Sequence, residues 1–143
     1  MSEDCAGTTV HMEPHQLFPE LAVPWLATAP DGSIVGFVFY PLADGEAVLR
    51  PGPTLPDGSA QKILWAIPAG GDATLDIKGS RRGDDAGGFF EQRFPAHPGE
   101  HGPEGTRWYP ATMRVPEPGC WELLLRSGRA IGTITFRVER EEV

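Results

Sequence analysis

Apolar and polar residues alternate with a period of two along several short stretches of the chain, and turn residues separate these stretches. In residues 73–78 the apolar side chains share one face and the polar side chains share the other. Such alternation predicts a strand with one face on the core and one face in water. Residues 34–40 are apolar on both faces, which predicts a central strand, and residues 62–67 predict another buried strand.

Two β-hairpins are predicted from the turn residues between such stretches. The first joins residues 23–29 to residues 34–40 through Pro-Asp-Gly-Ser at positions 30–33. The second joins the strands on either side of Ser127-Gly128, where glycine supplies the positive φ that a two-residue turn needs. With that turn, Trp121 is expected to face Ile134 across the two strands.

The composition supports the same fold class. The chain of 143 residues contains 18 glycines and 15 prolines, which favours short strands joined by turns over a helical bundle. A chain of this length can bury a core without a metal. We therefore predict a single domain over residues 1–143, an all-β, immunoglobulin-like β-sandwich of about seven to nine antiparallel strands with no long helices. An irregular N-terminal arm is expected over residues 1–22 and a long loop over residues 80–107.

The charge of the chain limits its partners. The formal net charge is -8, so phosphate backbones and anionic membranes would be repelled, and no nucleic-acid partner is expected. No apolar run approaches the roughly 20 residues that cross a bilayer, so no transmembrane span is predicted. Attachment by a lipid anchor would require a native leader that has been removed.

The two cysteines, Cys5 and Cys120, lie near opposite ends of the chain and leave two alternatives open. In a cytosolic protein both would be free thiols, and Cys120 would act as a small buried hydrophobe. In an exported protein they would pair and close most of the chain into one loop. The first residues contain neither the basic region nor the apolar region of a signal peptide, so export would require a leader that was replaced. One cysteine near each end of a small sandwich favours the exported alternative.

Aromatic side chains around the predicted long loop are the first candidates for a binding site. Exposed aromatic residues on a β-sandwich can anchor a protein partner or stack on a sugar ring. Alternatively, they cap the open end of the sandwich as a small additional core. The predicted partner-binding residues are Phe89, Phe90, Phe94, Trp108 and Tyr109.

Histidines and carboxylates in the same loop form a second set of candidates, because they are the ligand types of zinc, copper and calcium. The two histidines are four residues apart, but Pro98 and Gly99 between them disfavour the helix that would bring them together. The two aspartates match no calcium-loop spacing, and exposed polar residues are the simpler interpretation. The candidate ligands are His97, His101, Asp84 and Asp85.

Catalytic signatures do not occur in the sequence. None of the serines lies in a nucleophile-elbow context or beside a histidine. There is also no phosphate-binding loop, paired-cysteine metal motif or dinucleotide-binding fingerprint. We therefore predict that the protein is not an enzyme and that it uses no cofactor.

Short motifs along the chain resemble those of a known group of proteins. The C-terminal motif is Pro-Gly-Cys-Trp-Glu at residues 118–122, in front of the last predicted hairpin. The other motifs are Cys5, the Leu-Pro-Asp-Gly-Ser turn at residues 55–59, Lys-Ile-Leu-Trp at residues 62–65 and Gly-Ser-Arg-Arg at residues 79–82. Together they resemble a group of uncharacterised bacterial secreted or envelope β-sandwich proteins. The sequence departs from the pattern of that group at Ala111, where serine is usual.

The resemblance implies an extracytoplasmic location, either secreted or anchored in the envelope, and an oxidised Cys5–Cys120 pair. It brings no activity with it. From the resemblance and the aromatic-rich loop we expect a non-catalytic extracytoplasmic β-sandwich that binds or packs against another protein of the cell envelope. The alternatives are a metal-handling domain for copper, zinc or calcium, and a carbohydrate-binding module.

Overall fold

Eight β-strands make up the regular structure of the described residues, as seen in a computed structural model. The structure describes residues 7–39, 47–50, 61–68, 70–82, 88–97 and 106–139, and within these ranges it contains no helix. The strands are β1 (Trp25–Ala27), β2 (Val35–Val38), β3 (Lys62–Ile67), β4 (Thr74–Arg81), β5 (Phe89–Pro95), β6 (Arg107–Thr112), β7 (Gly119–Ser127) and β8 (Ala130–Val138).

The strands form two antiparallel sheets that pack face to face. Sheet I has the order β1-β2-β3-β6, and sheet II has the order β5-β4-β7-β8. β3 and β4 are consecutive but lie in different sheets, and so do β6 and β7, which gives the interlocked arrangement of immunoglobulin-like sandwiches. The predicted all-β sandwich is confirmed, with eight strands in the described part of the chain.

The main core lies between the two sheets and contains their largest side chains. Trp65 and Tyr109 enter it from sheet I, while Trp121 and Phe136 enter it from sheet II, and all four are buried. Along β7 the inward residues alternate with exposed ones, as the period of two predicts. Because burial of apolar area drives folding, this layer holds the two sheets together.

The C-terminal hairpin forms as predicted, but its turn lies one residue later in the chain. Gly128 and Arg129 form the turn, and Gly128 has a φ of 59°. As a result Trp121 faces Phe136, and the predicted pairing of Trp121 with Ile134 is wrong. The shift leaves each side chain on its predicted face, because the partner residue moves by two positions.

A buried hydroxyl group explains the position of this turn. Ser127 pairs with Ala130 at the end of the hairpin. Its Oγ donates to the carbonyl of Thr74 at 2.6 Å and accepts from the backbone N–H of Asp72 at 2.8 Å. These contacts with residues far away in the chain hold Ser127 in the strand, and no local pattern indicates them.

The N-terminal arm covers part of the outer face of sheet I. Residues 7–22 contain no strand, yet Phe18 is buried against this face. There it forms a second apolar cluster with Val35 and Phe37 of β2 and with Ala66 of β3. Sheet I is therefore buried on both faces beneath the arm, which accounts for the two-sided apolar pattern of β2.

The segment predicted as one long loop, residues 80–107, contains strand β5. β5 pairs with β4 along its whole length, and Phe90 lies opposite Gly79. A Cβ at residue 79 would lie 2.1 Å from the Phe90 ring, so only glycine leaves room for this aromatic side chain. The glycine thus lets β5 pack closely against the core.

Two strand edges are occupied by other parts of the chain. At the outer edge of β8, the backbone N–H groups of Thr8 and Leu49 donate to carbonyls of the strand. At the outer edge of β6, the side-chain amide of Gln92 donates to the carbonyl of Thr112 at 3.2 Å. Such contacts disfavour strand-to-strand association at these edges, so sheet faces are the better candidates for contact with other molecules.

Candidate functional site

An apolar groove lies on the outer face of sheet I, beside the part that the arm covers. It consists of two adjoining hollows of about 150 and 270 Å³, which share two side chains. Phe39 beside the first hollow is 48% exposed although it is a large aromatic residue. Exposed apolar side chains that adjoin one another can serve as a contact site. The apolar groove is defined by Leu21, Phe39, Leu64, Trp108 and Pro110.

Neighbouring strands of sheet I position the groove residues. Leu64 of β3 and Pro110 of β6 lie directly opposite each other. The residues on either side of Leu64 point into the core, so Leu64 points outward. Phe39 follows β2, and its N–H donates to the carbonyl of Lys62 at 3.1 Å, which extends the sheet by one residue. The groove therefore rests on neighbouring hydrogen-bonded strands.

Basic side chains border the groove at both ends, and among the described residues no carboxylate lines it. Lys62 lines the first hollow and lies opposite Thr112 in the sheet. His97 lines the second hollow, and its backbone N–H donates to the carbonyl of Trp108 at 2.7 Å. Since Trp108 and Thr112 are four residues apart in β6, the two basic residues are separated by roughly 13 Å along the strand. The positive charge of Lys62 thus borders an apolar surface in a chain of net charge -8.

The five aromatic residues predicted to bind a partner do not form one surface. Trp108 is half-buried and belongs to the groove. Phe89 is 64% exposed, but it lies on the outer face of sheet II, away from the groove. Phe90 and Phe94 are half-buried and pack against the main core, and Tyr109 is fully buried in it.

His97 is the one candidate metal ligand that lies in the described part of the chain, and it is exposed. Asp84, Asp85 and His101 lie outside the described residues. Within the described ranges, no group of three or more His, Cys, Asp or Glu side chains is arranged to hold a metal ion. The metal hypothesis stays a prediction.

Cys120 lies on the outer face of sheet II, opposite Arg137 of β8. It is half-buried and carries no free thiol. The backbone N–H of Arg82 donates to the carbonyl of Cys120 at 2.7 Å, which fixes this end of β7. Cys5 lies outside the described residues, so the pairing of the two cysteines stays a prediction.

Sequence reasoning misses four groove residues, namely Leu21, Phe39, Leu64 and Pro110. The signal that points to Phe39 is the two-sided apolar pattern of residues 34–40, because a strand needs only one apolar face to pack in a sandwich. The second face has to be covered by another segment or remain open for contact. The pattern alone does not show how far such a cover extends.

Comparisons of the chain with protein-family models, with curated proteins and with solved structures find no match in any of the three. The described residues form no helix of the length and hydrophobicity needed to span a membrane. The groove is thus the feature on which a functional proposal can be based.

Proposed function

We propose that the protein is a non-catalytic binding domain of the bacterial cell envelope and that its groove holds an extended apolar segment of a partner protein. The observation that carries this proposal is the open apolar surface around Phe39, Leu64 and Pro110, next to the part of the same sheet face that the arm covers. Clustered aromatic and apolar side chains supply most of the energy at a typical protein contact. A partner segment would bury them as the arm buries Phe37.

The length and charge of the groove define the chemistry of that segment. The separation of Lys62 and His97 along β6, roughly 13 Å, corresponds to about four extended residues. Alternate apolar side chains of the segment would fill the two hollows. A carboxylate at one end would pair with Lys62, since opposite charges at the border of an apolar contact favour one orientation.

A protein segment fits the groove better than a sugar does. Each hydroxyl of a bound sugar needs a hydrogen-bonding partner, because burying it without one is unfavourable. Lys62 and His97 are the polar side chains that line the two hollows, and they lie at opposite ends. The apolar middle of the groove offers a sugar ring little to bond with.

Export and a Cys5–Cys120 bridge belong to the same proposal. The backbone N–H of Thr8 donates to the carbonyl of Thr135 at 3.0 Å, which fixes the arm beside β8. Cys120 lies one strand further in and two residues further along the sheet, so that it is ~12 Å from the backbone of Thr8. Three extended residues span about that distance, and Cys5 is three residues before Thr8. The lack of a free thiol at Cys120 supports the pairing.

Alkylation of the native protein without reduction, followed by intact mass measurement, tests the location. We expect both cysteines to stay unmodified, since disulfides persist in oxidising compartments. Two alkylated thiols would contradict both the bridge and the export. We also propose membership of the bacterial secreted or envelope group, on the Pro-Gly-Cys-Trp-Glu motif and the associated short motifs.

Groove variants test the binding function against a matched control on the other sheet. Wild-type protein and the variants Phe39→Ala, Lys62→Glu and Phe89→Ala are incubated with envelope extract, and captured proteins are identified by mass spectrometry. We expect both groove variants to capture the partner about tenfold less, the effect of losing one contact of a binding hot spot. Phe89→Ala should capture it normally, because this exposed aromatic residue lies on sheet II. A partner that both groove variants retain would contradict the proposal.

A further inference from the structure

Two histidines of the N-terminal arm contact the same tryptophan of β1. The His11 ring is stacked on the Trp25 ring, with 4.3 Å between the centroids and 25° between the planes. The His15 ring meets Trp25 edge-on, with 4.4 Å between the centroids. Backbone hydrogen bonds join His11 and Trp25 in both directions, and the Trp25 indole N–H donates to the carbonyl of Glu13 at 2.7 Å. His11, His15 and Trp25 are named the histidine clasp below.

The hydrogen bonding of His15 requires a neutral imidazole ring. The backbone N–H of Leu17 donates to Nδ1 of His15 at 3.0 Å. A ring nitrogen accepts only when it is unprotonated, and both ring nitrogens are donors in the imidazolium ion. Protonation of His15 therefore turns this hydrogen bond into a contact between two donors. The same turn positions Phe18, whose N–H donates to the carbonyl of His15 at 3.1 Å.

We propose that the histidine clasp is a pH-sensitive fastening of the arm, and that protonation of His15 in mildly acidic solution releases residues 11–18 from sheet I. Release uncovers Phe37 and Trp108, whose ring centroids lie 5.6 and 5.2 Å from that of Phe18. The apolar groove, which Trp108 borders, then extends across the sheet face. This device goes beyond the proposed binding function and requires no particular partner.

The surroundings of His15 in the histidine clasp favour its neutral form. Burial, and to a smaller extent the charge of His11, lowers the pKa of His15 from its ordinary value of 6.5. Oε2 of Glu13 lies 3.7 Å from Nδ1 of His11, and the two form an ion pair only when His11 is protonated. The strands beneath this part of the arm, β1 and β2, carry no charged side chain. Sheet I thus offers the His15 imidazolium no counterion at this point.

The sign of the pH dependence follows from the lowered pKa. A histidine whose pKa is lower in the docked arm binds its proton more tightly when the arm is undocked. The docked arm is therefore fully stable above about pH 6.5 and loses stability as the pH falls below that value. If the pKa of His15 in the docked arm is one unit below 6.5, the equilibrium constant for docking is about tenfold smaller in acid than at neutral pH.

NMR spectroscopy of the full chain tests the proposal directly. Ring nitrogen shifts give the pKa and the tautomer of His15, and amide hydrogen exchange, corrected for intrinsic rates, reports the docking of residues 11–18. We expect a His15 pKa below 6.5, the ring proton on Nε2 at about pH 7.5, and a loss of protection at Leu17 and Phe18 by about pH 5. A pKa at or above 6.5, or equal protection at both pH values, would overturn the proposal.

Two histidine variants identify the group that responds to pH. His15→Asn keeps an acceptor oxygen within reach of the Leu17 N–H but does not titrate, so its arm should stay protected at both pH values. His101→Asn removes a histidine that is far from the arm in sequence and should keep the wild-type pH dependence. If His15→Asn loses protection in acid as the wild type does, another group controls the arm and the proposal fails.

Discussion

The outer faces of the two sheets differ, although their inner faces build one core. On sheet I the outer side chains are largely apolar, and the arm covers one part while the groove leaves another open. On the outer face of sheet II, Arg93 lies beside Asp76 and Glu91 beside Lys78, so charges alternate between β4 and β5. An antiparallel sheet needs only one apolar face to fold. Apolar residues on a second face therefore indicate a further contact, of which the arm supplies only a part.

The largest expected effect comes from comparing one residue of each outer face. Phe37→Ala removes a fully buried ring beneath the arm, and we expect a loss of about 3–5 kcal/mol in the free energy of unfolding. Leu124→Ala, on the exposed face of sheet II, should change it by no more than about 0.5 kcal/mol. Chemical denaturation followed by circular dichroism measures both. Similar losses would show that the two outer faces are equivalent.

The strands of this sandwich can be predicted from sequence, whereas the docking of the arm cannot. β3, β4 and the C-terminal hairpin follow from alternation and turn residues, which act between neighbours in the chain. The arm carries scattered apolar residues such as Phe18 and Leu21 among prolines and polar residues, with no period. Its position depends on contacts with Phe37 and Trp108, which are distant in sequence.

The second prediction compares two buried tryptophans of the core, one from each sheet. The indole N–H of Trp121 donates to the carbonyl of Glu117 at 2.9 Å, whereas the buried N–H of Trp65 has no acceptor within the described part of the chain. Phenylalanine at either position leaves a similar void, but only Trp121→Phe loses a hydrogen bond. We expect Trp121→Phe to destabilise the protein more than Trp65→Phe, by about 1–3 kcal/mol in chemical denaturation. Equal losses would mean that the N–H of Trp65 is satisfied in solution.

The groove is harder to predict than the core because long-range pairing assembles it. Leu64 and Pro110 meet only through the register of β3 with β6. Phe89 lies within the predicted loop and Trp108 directly follows it, yet they lie on the outer faces of different sheets. Side-chain alternation predicts which residues share a face of one strand, but the sheet to which the strand belongs depends on the whole topology.

Removal of the Tyr109 hydroxyl group, which lies between the sheets, is expected to have a smaller effect. Tyr109 of β6 donates to the carbonyl of Asp72 at 2.6 Å, and its hydroxyl lies 3.2 Å from Oγ of Ser127 in β7. Tyr109→Phe keeps the ring, so we expect a loss of about 1 kcal/mol in the free energy of unfolding, measured by denaturation. Capture of the envelope partner should persist, because the residue is buried in the core. Loss of the partner at unchanged stability would instead support the binding role that the sequence predicts for Tyr109.

The smallest effect is expected on the charged face of sheet II. Nε of Arg93 lies 2.7 Å from Oδ1 of Asp76, and this hydrogen bond, with the charge of the carboxylate, raises the pKa of Arg93. Water and salt reach the Arg93 side chain, so the attraction is screened and the ordering of a long side chain opposes it. We expect Arg93→Ala to leave the midpoint of chemical denaturation unchanged at low and at high salt.

Arg126→Ala is the matched control for this variant, because Arg126 lies on the other side of Asp76 in sheet II. If Arg93→Ala alone lowered the midpoint, and high salt abolished the difference, the charged face would contribute to folding. The contrast between the two outer faces would then be smaller than the side chains indicate. An unchanged midpoint would show that the core and the arm stabilise the fold and that the charged face does not. The alternating charges of sheet II would then serve to oppose association through that face.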